Sequence, residues 1–259
     1  MLLHVSSGFE IFGLKVSFYG LLMAVAFIVA IAVAIFNAKK RGFKSDEILT
    51  LALYVIPLSI LGARTYFCIF SGQSFTFLQF FEIWNGGLAI LGGVIGGVIA
   101  VLLYCHFHKK NFFEIASIAA PSLILGQAIG RLGCYFAGCC YGVEITNPNL
   151  HFFPVGIEID GVWHYATMFY ECFYCIVGFI VLQTIFSKSS RRGETMCWYL
   201  CIYGLGRAII ETFRGDSLYL FSTGIKVSQA LSIGLVILGI IGLILIYTKT
   251  KRNEKVNNS

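Results

Sequence analysis

The sequence predicts an all-α integral membrane protein of about seven transmembrane helices. A small β-hairpin element is expected on the outer face, with the N-terminus outside and the C-terminus in the cytoplasm. Three observations predict this. Of the 259 residues, 58% are hydrophobic and 12% charged, whereas soluble domains carry about 25% charged residues. Several apolar runs reach the ~20 residues that a helix needs to cross the hydrocarbon core. The basic residues gather in alternate connections.

The apolar runs lie near 17–37, 47–70, 86–105, 114–133, 168–187, 195–213 and 227–247. The first is followed by "NAKKRGFK", the reverse of the charge order of a cleaved signal peptide. Lys39, Lys40, Arg41 and Lys44 follow the first run, and Lys109 and Lys110 join the third and fourth. Lys188, Arg191 and Arg192 join the fifth and sixth, and Lys249, Lys251, Arg252 and Lys255 follow the last. Only Lys15, Arg214 and Lys226 fall in the opposite connections. The positive-inside rule then fixes the orientation. The net charge of +6 is mostly this topology signal, and no basic patch interleaved with aromatics points to nucleic acid.

Residues 1–248 form one membrane domain, and the polar tail 249–259, ending "KTKRNEKVNNS", is expected to be disordered. The long outer connection, about 134–167, contains the alternating "PVGIEIDGVWHY". Its Asp160-Gly161 pair favours a type I′ hairpin. In "NGGLAILGGVIGG" the glycines let helices approach closely. Cys68, Cys105, Cys172, Cys175, Cys197 and Cys201 sit in or beside spans, where cysteine acts as a small apolar packer.

Three arginines remain after the connections are counted: Arg64, Arg131 and Arg207. An ionisable group inside a span is a candidate functional residue; the plainer readings are snorkelling and structural pairing. With the predicted orientation all three lie in the outer half of the bilayer. Tyr19 opens the first span from that side, Trp84, Asn85 and Gly86 the third, and His164, Tyr170 and Glu171 the fifth. Tyr203, Arg207 and Glu211 are spaced i, i+4, i+8 and form one polar stripe, with Glu211 holding the guanidinium. Guanidinium groups bind phosphate bidentately, so the residues point to an anionic lipid headgroup.

Five stretches sharpen this. "VSFYGLLMAVAF", "FEIWNGGLAILGGVIGG", "GQAIGRLGCYFAGCCYG", "HYATMFYE" and "YGLGRAIIETFRGD" occur in the order and at the depths of the motifs of prolipoprotein diacylglyceryl transferases, and the chain resembles that bacterial membrane family over nearly its whole membrane region. The resemblance implies a transferase that moves diacylglyceryl from phosphatidylglycerol to the lipobox cysteine of secreted lipoprotein precursors. It also implies a place in the cytoplasmic (inner) membrane, with the active site toward the outer leaflet. The family's essential arginine falls on Arg131. Arg131, Arg207, Tyr203 and Glu211 are the candidate catalytic residues. Candidate substrate contacts are Tyr19, Arg64, Asn85, Gly92, Gly93, Gly133, Cys134, Gly142 and His164. No cofactor and no metal is assigned. The partners are phosphatidylglycerol, precursor peptides and the bilayer.

The chain departs from the family pattern in places. Leu91 stands where the family has histidine or tyrosine, and Met168 where it has glutamine. Cys134, Ala137 and Cys139 replace asparagine, asparagine and glutamate. The lost polar groups keep two further readings open: a related transferase with another acceptor, and a lipid-binding or redox membrane protein without transferase activity. Cys134, Cys139 and Cys140 serve as a disulfide, a metal site, a nucleophile or apolar substitutes. Cys134 with Cys139 or Cys140 is the easier disulfide. Zinc needs a fourth donor such as His164 or Glu144 and ranks below the favoured reading, in which at least one thiol lines the headgroup cavity beside Arg131 and is made reactive by its positive field. His164 is the one outer histidine close to a span, and the candidate base.

Overall fold

The structure, a computed structural model, describes residues 8–11, 14–72, 76–82, 86–215 and 226–257. The elements in order are β1 (Gly8–Ile11), β2 (Leu14–Ser17), α1 (Phe18–Lys40), α2 (Ser45–Phe70), α3 (Phe77–Phe81), α4 (Ile90–Phe107), α5 (Phe112–Phe136), β3 (Gly156–Ile159), β4 (Val162–Tyr165), α6 (Thr167–Lys188), α7 (Glu194–Ile210) and α8 (Val227–Asn257). Six helices are long and apolar enough to cross a membrane: α1, α2, α4, α5, α6 and α8. The chain is thus a multi-pass membrane protein. α7 has 17 residues and runs into a 3-10 turn at Glu211–Phe213.

The chain divides into two compact units, residues 34–115 and residues 1–33 with 116–259. In the first, α2 and α4 cross through glycine. A Cβ on Gly92 would come 2.2 Å from the Gly62 carbonyl oxygen, and one on Gly96 would come 2.2 Å from that of Leu58. Backbones so close leave no room for any side chain. Gly93, one residue away, has 3.6 Å to its nearest neighbours. At the other end of this unit Lys110 pairs with Glu47, and the Lys44 amide donates to the same carboxylate at 2.9 Å, which fixes the start of α2.

In the second unit the core gathers Ala120, Ile124, Ala128, Cys172, Cys175, Leu182 and Tyr199. Cys172 and Cys175 are packing groups there. So are Cys197 and Cys201, whose sulfurs lie 2.5 Å from where a Cβ on Gly242 and on Gly239 would stand. The start of α7 is pinned by the Gly193 amide donating to Ser117 Oγ at 2.9 Å. The buried Glu194 meets Ser189, Arg191 and Tyr247.

Asp160-Gly161 turns the hairpin as expected. Their φ angles are 50° and 82°, the positive pair of a type I′ turn, and β3 and β4 pair from Gly156↔Tyr165 to Ile159↔Val162. Backbone bonds extend this hairpin into a clamp. Gly142 N–H donates to the Tyr165 carbonyl at 2.8 Å, Val143 N–H to that of Phe213 at 2.8 Å, and Ile145 N–H to that of Trp163 at 2.7 Å. The end of α5, the start of α6 and the end of α7 are thereby fastened together.

Three expectations are corrected. The tail is not disordered as far as the described residues run, since α8 continues to Asn257; the lysines that disfavour a span do not disfavour a helix. The helix of the third apolar run, α4, starts at Ile90 rather than 86, because Gly86 and Gly87 take φ of 80° and 72°, outside helical space. The β1–β2 hairpin near the N-terminus was not anticipated.

The glycine crossing generates a paired test. Gly96→Ala places a Cβ into the Leu58 carbonyl and should lower the stability of the detergent-solubilised protein by about 1–3 kcal/mol, the usual overpacking penalty. Gly93→Ala should leave the melting temperature unchanged or raise it slightly. Equal melting curves for the two variants would disprove the tight crossing.

Candidate active site

Every charge inside an apolar helix bundle needs a partner, and the partners here converge at one end of the second unit. Arg131 sits in the last turns of α5, Glu171 in the second turn of α6, Arg207 in the last turn of α7 and Glu211 just beyond it. Glu171 is the hinge of the group. Its Oε1 lies 3.0 Å from Arg131 Nε, and its Oε2 accepts from Arg207 Nη1 at 2.8 Å. Arg207 Nη2 lies 3.0 Å from Glu211 Oε2. Glu171 and Glu211 are 3% and 1% exposed. Two cations and two anions make a neutral quartet, the arrangement that lets four charges share a low-dielectric site.

The two arginines are held differently. Arg207 engages a carboxylate with each Nη, so it is locked. Arg131 is tethered through Nε alone. Among the described residues no other polar group is seen to bond to it, so its two Nη groups form an open fork. That fork is the part of a guanidinium that fits a phosphate. Tyr203, Cys134 and Cys140 lie within electrostatic reach of Arg131. Tyr203 stacks on Tyr199, with ring centroids 5.8 Å apart, and Gln127 donates to the Tyr199 hydroxyl at 2.9 Å.

Tyr19, near the start of α1, leans on Gly133. A Cβ there would be 3.1 Å from the tyrosine ring, so glycine leaves space for the ring beside Arg131. Gly142 has a packing role, since its Cβ would lie 2.7 Å from the Phe213 carbonyl oxygen.

The three thiols meet as well. All Sγ atoms of Cys134, Cys139 and Cys140 lie within 4.8 Å of one another, and all nine cysteines are free. The chain leaves α5 through Gly138 at φ 62° and returns through Cys140 at φ 66°. The Cys139 amide donates to the Cys134 carbonyl at 3.1 Å, and Thr167 Oγ1 donates to that of Cys140 at 2.7 Å. The Cys140 thiol is pulled down to about 5, first by the hydrogen bond from Cys134 and then by the positive fields of Arg214 and Arg131, against burial. Burial pushes the Cys139 thiol up.

Other expected residues have partners of their own. Arg64 belongs to the first unit, where its guanidinium donates to the carbonyls of Gln79, Phe80, Gly86 and Gly87 at 2.6–3.1 Å. It staples the segment before α4. Gly92 makes the helix crossing, and Gly93 packs at ordinary contact with Ala63. Asn85 lies outside the described residues. His164 faces Gly142, whose carbonyl accepts from Nδ1 at 3.1 Å, and its ring lies 4.7 Å from that of Tyr141, contacts that organise the clamp. Lys226 caps the end of α7 through the carbonyls of Glu211 and Arg214, at 2.6 and 2.7 Å. From the sequence, Glu171 reads only as a residue opening a span. The charge balance held the signal: two clustered arginines with Glu211 alone leave one cation unpaired.

The family description of prolipoprotein diacylglyceryl transferase matches residues 7–245. The chain belongs to the prolipoprotein diacylglyceryl transferase family. A phosphatidylglycerol–prolipoprotein diacylglyceryl transferase of Clostridium botulinum (strain Loch Maree) is 36% identical over 250 residues, covering 94% of this chain and 98% of the relative. The first such transferase of Clostridium perfringens strain 13 is 35% identical over 254 residues, 95% of this chain and 96% of the relative. That of Streptococcus agalactiae serotype Ia is 37% identical over 236 residues, 89% and 91%. The quartet lies wholly within the matched residues.

Glu171→Gln tests the hinge. It removes the charge shared by two guanidinium groups while keeping the shape. It should destabilise the protein by about 3–5 kcal/mol, the range for breaking a buried ion pair. Glu158→Gln, on β3, should have an effect below about 0.5 kcal/mol. Thermal melts of the two variants decide, and an unshifted Glu171→Gln curve would contradict the quartet.

Proposed function

We propose that the chain transfers the diacylglyceryl group of phosphatidylglycerol to the lipobox cysteine of secreted lipoprotein precursors. The observation that carries it is the open fork of Arg131, held by one carboxylate at the end of a membrane helix, in a chain of this family. The acceptor sulfur, as thiolate, attacks the glyceryl carbon bonded to the phosphate. The C–S bond forms as the C–O bond breaks, glycerol phosphate leaves, and the thiol proton passes to solvent. Arg131 takes the charge that builds on the departing phosphate, the role such donors serve in many transferring sites. Arg207, fixed between Glu171 and Glu211, keeps the Glu171 tether in place. Tyr203 and Tyr19 orient the headgroup, with Gly133, Cys134 and His164 nearby on the same side.

The reading includes a topology. α7 acts as the seventh span: its 17 residues give about 25 Å at 1.5 Å per residue, and the 3-10 turn adds a little more, against a core of about 30 Å. The basic connections face the cytoplasm, the N-terminus and the clamp face outward, and the quartet lies toward the outer leaflet of the cytoplasmic membrane. Residues 1–248 work as one transferase domain, followed by the polar tail 249–259.

The decisive experiment incubates the purified protein with glyceryl-labelled phosphatidylglycerol and a lipobox peptide. The peptide should gain label, and Arg131→Ala should lower the rate by at least about 100-fold, the usual loss when such a donor is removed. Arg131→Lys should not restore it, because a point charge lacks the fork. Lipid turnover without label on the peptide would assign another acceptor, and absence of turnover would refute the transferase reading. For the topology, an epitope inserted after Asn149 should be reached from outside intact cells, and one after Ser190 only in opened cells. Both on one side would overturn the seven-span arrangement.

A further inference from the structure

We propose that Cys134, Cys139 and Cys140 form a three-thiolate zinc site whose fourth position takes the acceptor cysteine of the transfer reaction. This rests on the function proposed above. Three sulfurs already lie within 4.8 Å of one another. Zinc–sulfur bonds of about 2.3 Å in a tetrahedron set sulfurs about 3.8 Å apart, so the thiols need approach by only about 1 Å. The backbone brings them together from two directions. Cys134 comes off the end of α5, and the left-handed turns at Gly138 and Cys140 fold Cys139 and Cys140 back over it. The Cys139 amide and the Thr167 hydroxyl bind the carbonyls of Cys134 and Cys140 and hold this loop closed. Thiolates favour zinc over magnesium or calcium.

The coordination count decides what the site does. Structural zinc takes four protein ligands, whereas reactive zinc takes three and leaves a position open. Among the described residues no histidine, cysteine or carboxylate joins the three thiols as a fourth ligand. His164 and Glu144, the donors that the sequence offers, are not in the group whose ligand atoms lie within 4.8 Å of one another. The reaction itself supplies the missing donor, because its acceptor is a thiol. A thiol that binds zinc gives its proton to solvent and persists as thiolate at neutral pH. The C–S bond to the glyceryl carbon then forms as the C–O bond to phosphate breaks, and no electrons are exchanged with an outside reagent. The product thioether is a weaker ligand and leaves. Four thiolates on Zn²⁺ carry a charge of −2, and Arg131 and Arg214 both lie within electrostatic reach of Cys140. The arginine that faces the phosphate therefore sits one helical turn from the metal that holds the nucleophile. The site also accounts for Leu91, since activating the thiol no longer calls for a side-chain base.

The test uses the full chain in detergent, purified under reductant. Elemental analysis should find about one zinc per chain, and cobalt exchanged into it should show thiolate-to-metal charge-transfer and tetrahedral ligand-field bands. Cys139→Ser/Cys140→Ser should lower the bound metal at least tenfold, with a melting curve near that of the parent to exclude unfolding. A lipobox peptide should shift the cobalt bands, and its Cys→Ser analogue should not. Removing zinc with a chelator should lower transfer at least tenfold, and added zinc should restore it. The proposal falls if the reduced protein binds no zinc or cobalt, if the thiols are found as a disulfide under reductant, if the peptide leaves the cobalt spectrum unmoved, or if the zinc-free protein transfers at the full rate. If metal binds and the cysteine peptide shifts the spectrum but no lipid is transferred, the metal and acceptor assignment stands and the transferase reading fails.

Discussion

One carboxylate, that of Glu171, organises this end of the molecule. Buried at 3% exposure, it pairs with two cations, and these come from different helices. The pairing serves both sides, because neither guanidinium tolerates the same surroundings alone. Charge pairing therefore ties the ends of α5, α6 and α7 to one another. The clamp of backbone bonds among Gly142, Val143, Tyr165 and Phe213 then removes the remaining freedom. Arg131 keeps its fork open because Glu211 shares Arg207 and leaves Arg131 with a single edge engaged.

Glycine does in the first unit what charge does in the second. Gly62, Gly92 and Gly96 let α2 and α4 touch backbone to backbone, and Arg64 satisfies four carbonyls of the segment between them. An arginine that reads from the chain as a phosphate ligand thus also serves as a donor to backbone carbonyls. The pattern of intramembrane arginines does not separate these two uses. Both place a guanidinium at a helix end, and only the partners differ.

Much of the fold was legible because it depends on short-range rules. Seven helices fall within a few residues of the apolar runs, and Asp160-Gly161 turns a hairpin where the positive-φ pair predicts one. The Arg207–Glu211 pair was legible too, since i, i+4 spacing is a local fact. What escaped was long-range. Glu171 reaches Arg207 across 36 positions, and no periodicity encodes such a pairing. His164 reads as a candidate base from its place near a span, whereas its bond to the Gly142 carbonyl, 22 positions away, is not encoded by any local pattern. The polar tail was expected to be disordered because it is charged, yet charge alone does not stop a helix that is already propagating. The thiols were seen to be unusual, but their convergence required two left-handed residues whose conformations the sequence did not announce.

The sequence distances within the quartet also bear on how the protein is made. Arg131 is synthesised forty residues before Glu171. At about 5–20 residues per second, that leaves an arginine at the end of an apolar helix for about 2–8 s without its partner. Arg207 and Glu211 emerge together and neutralise each other at once, whereas the helix that carries Arg131 has no such companion. α5 therefore leaves the ribosome with a charge whose partner, on α6, is still to be made. The carboxylate that completes the site is also the one that neutralises the helix beside it.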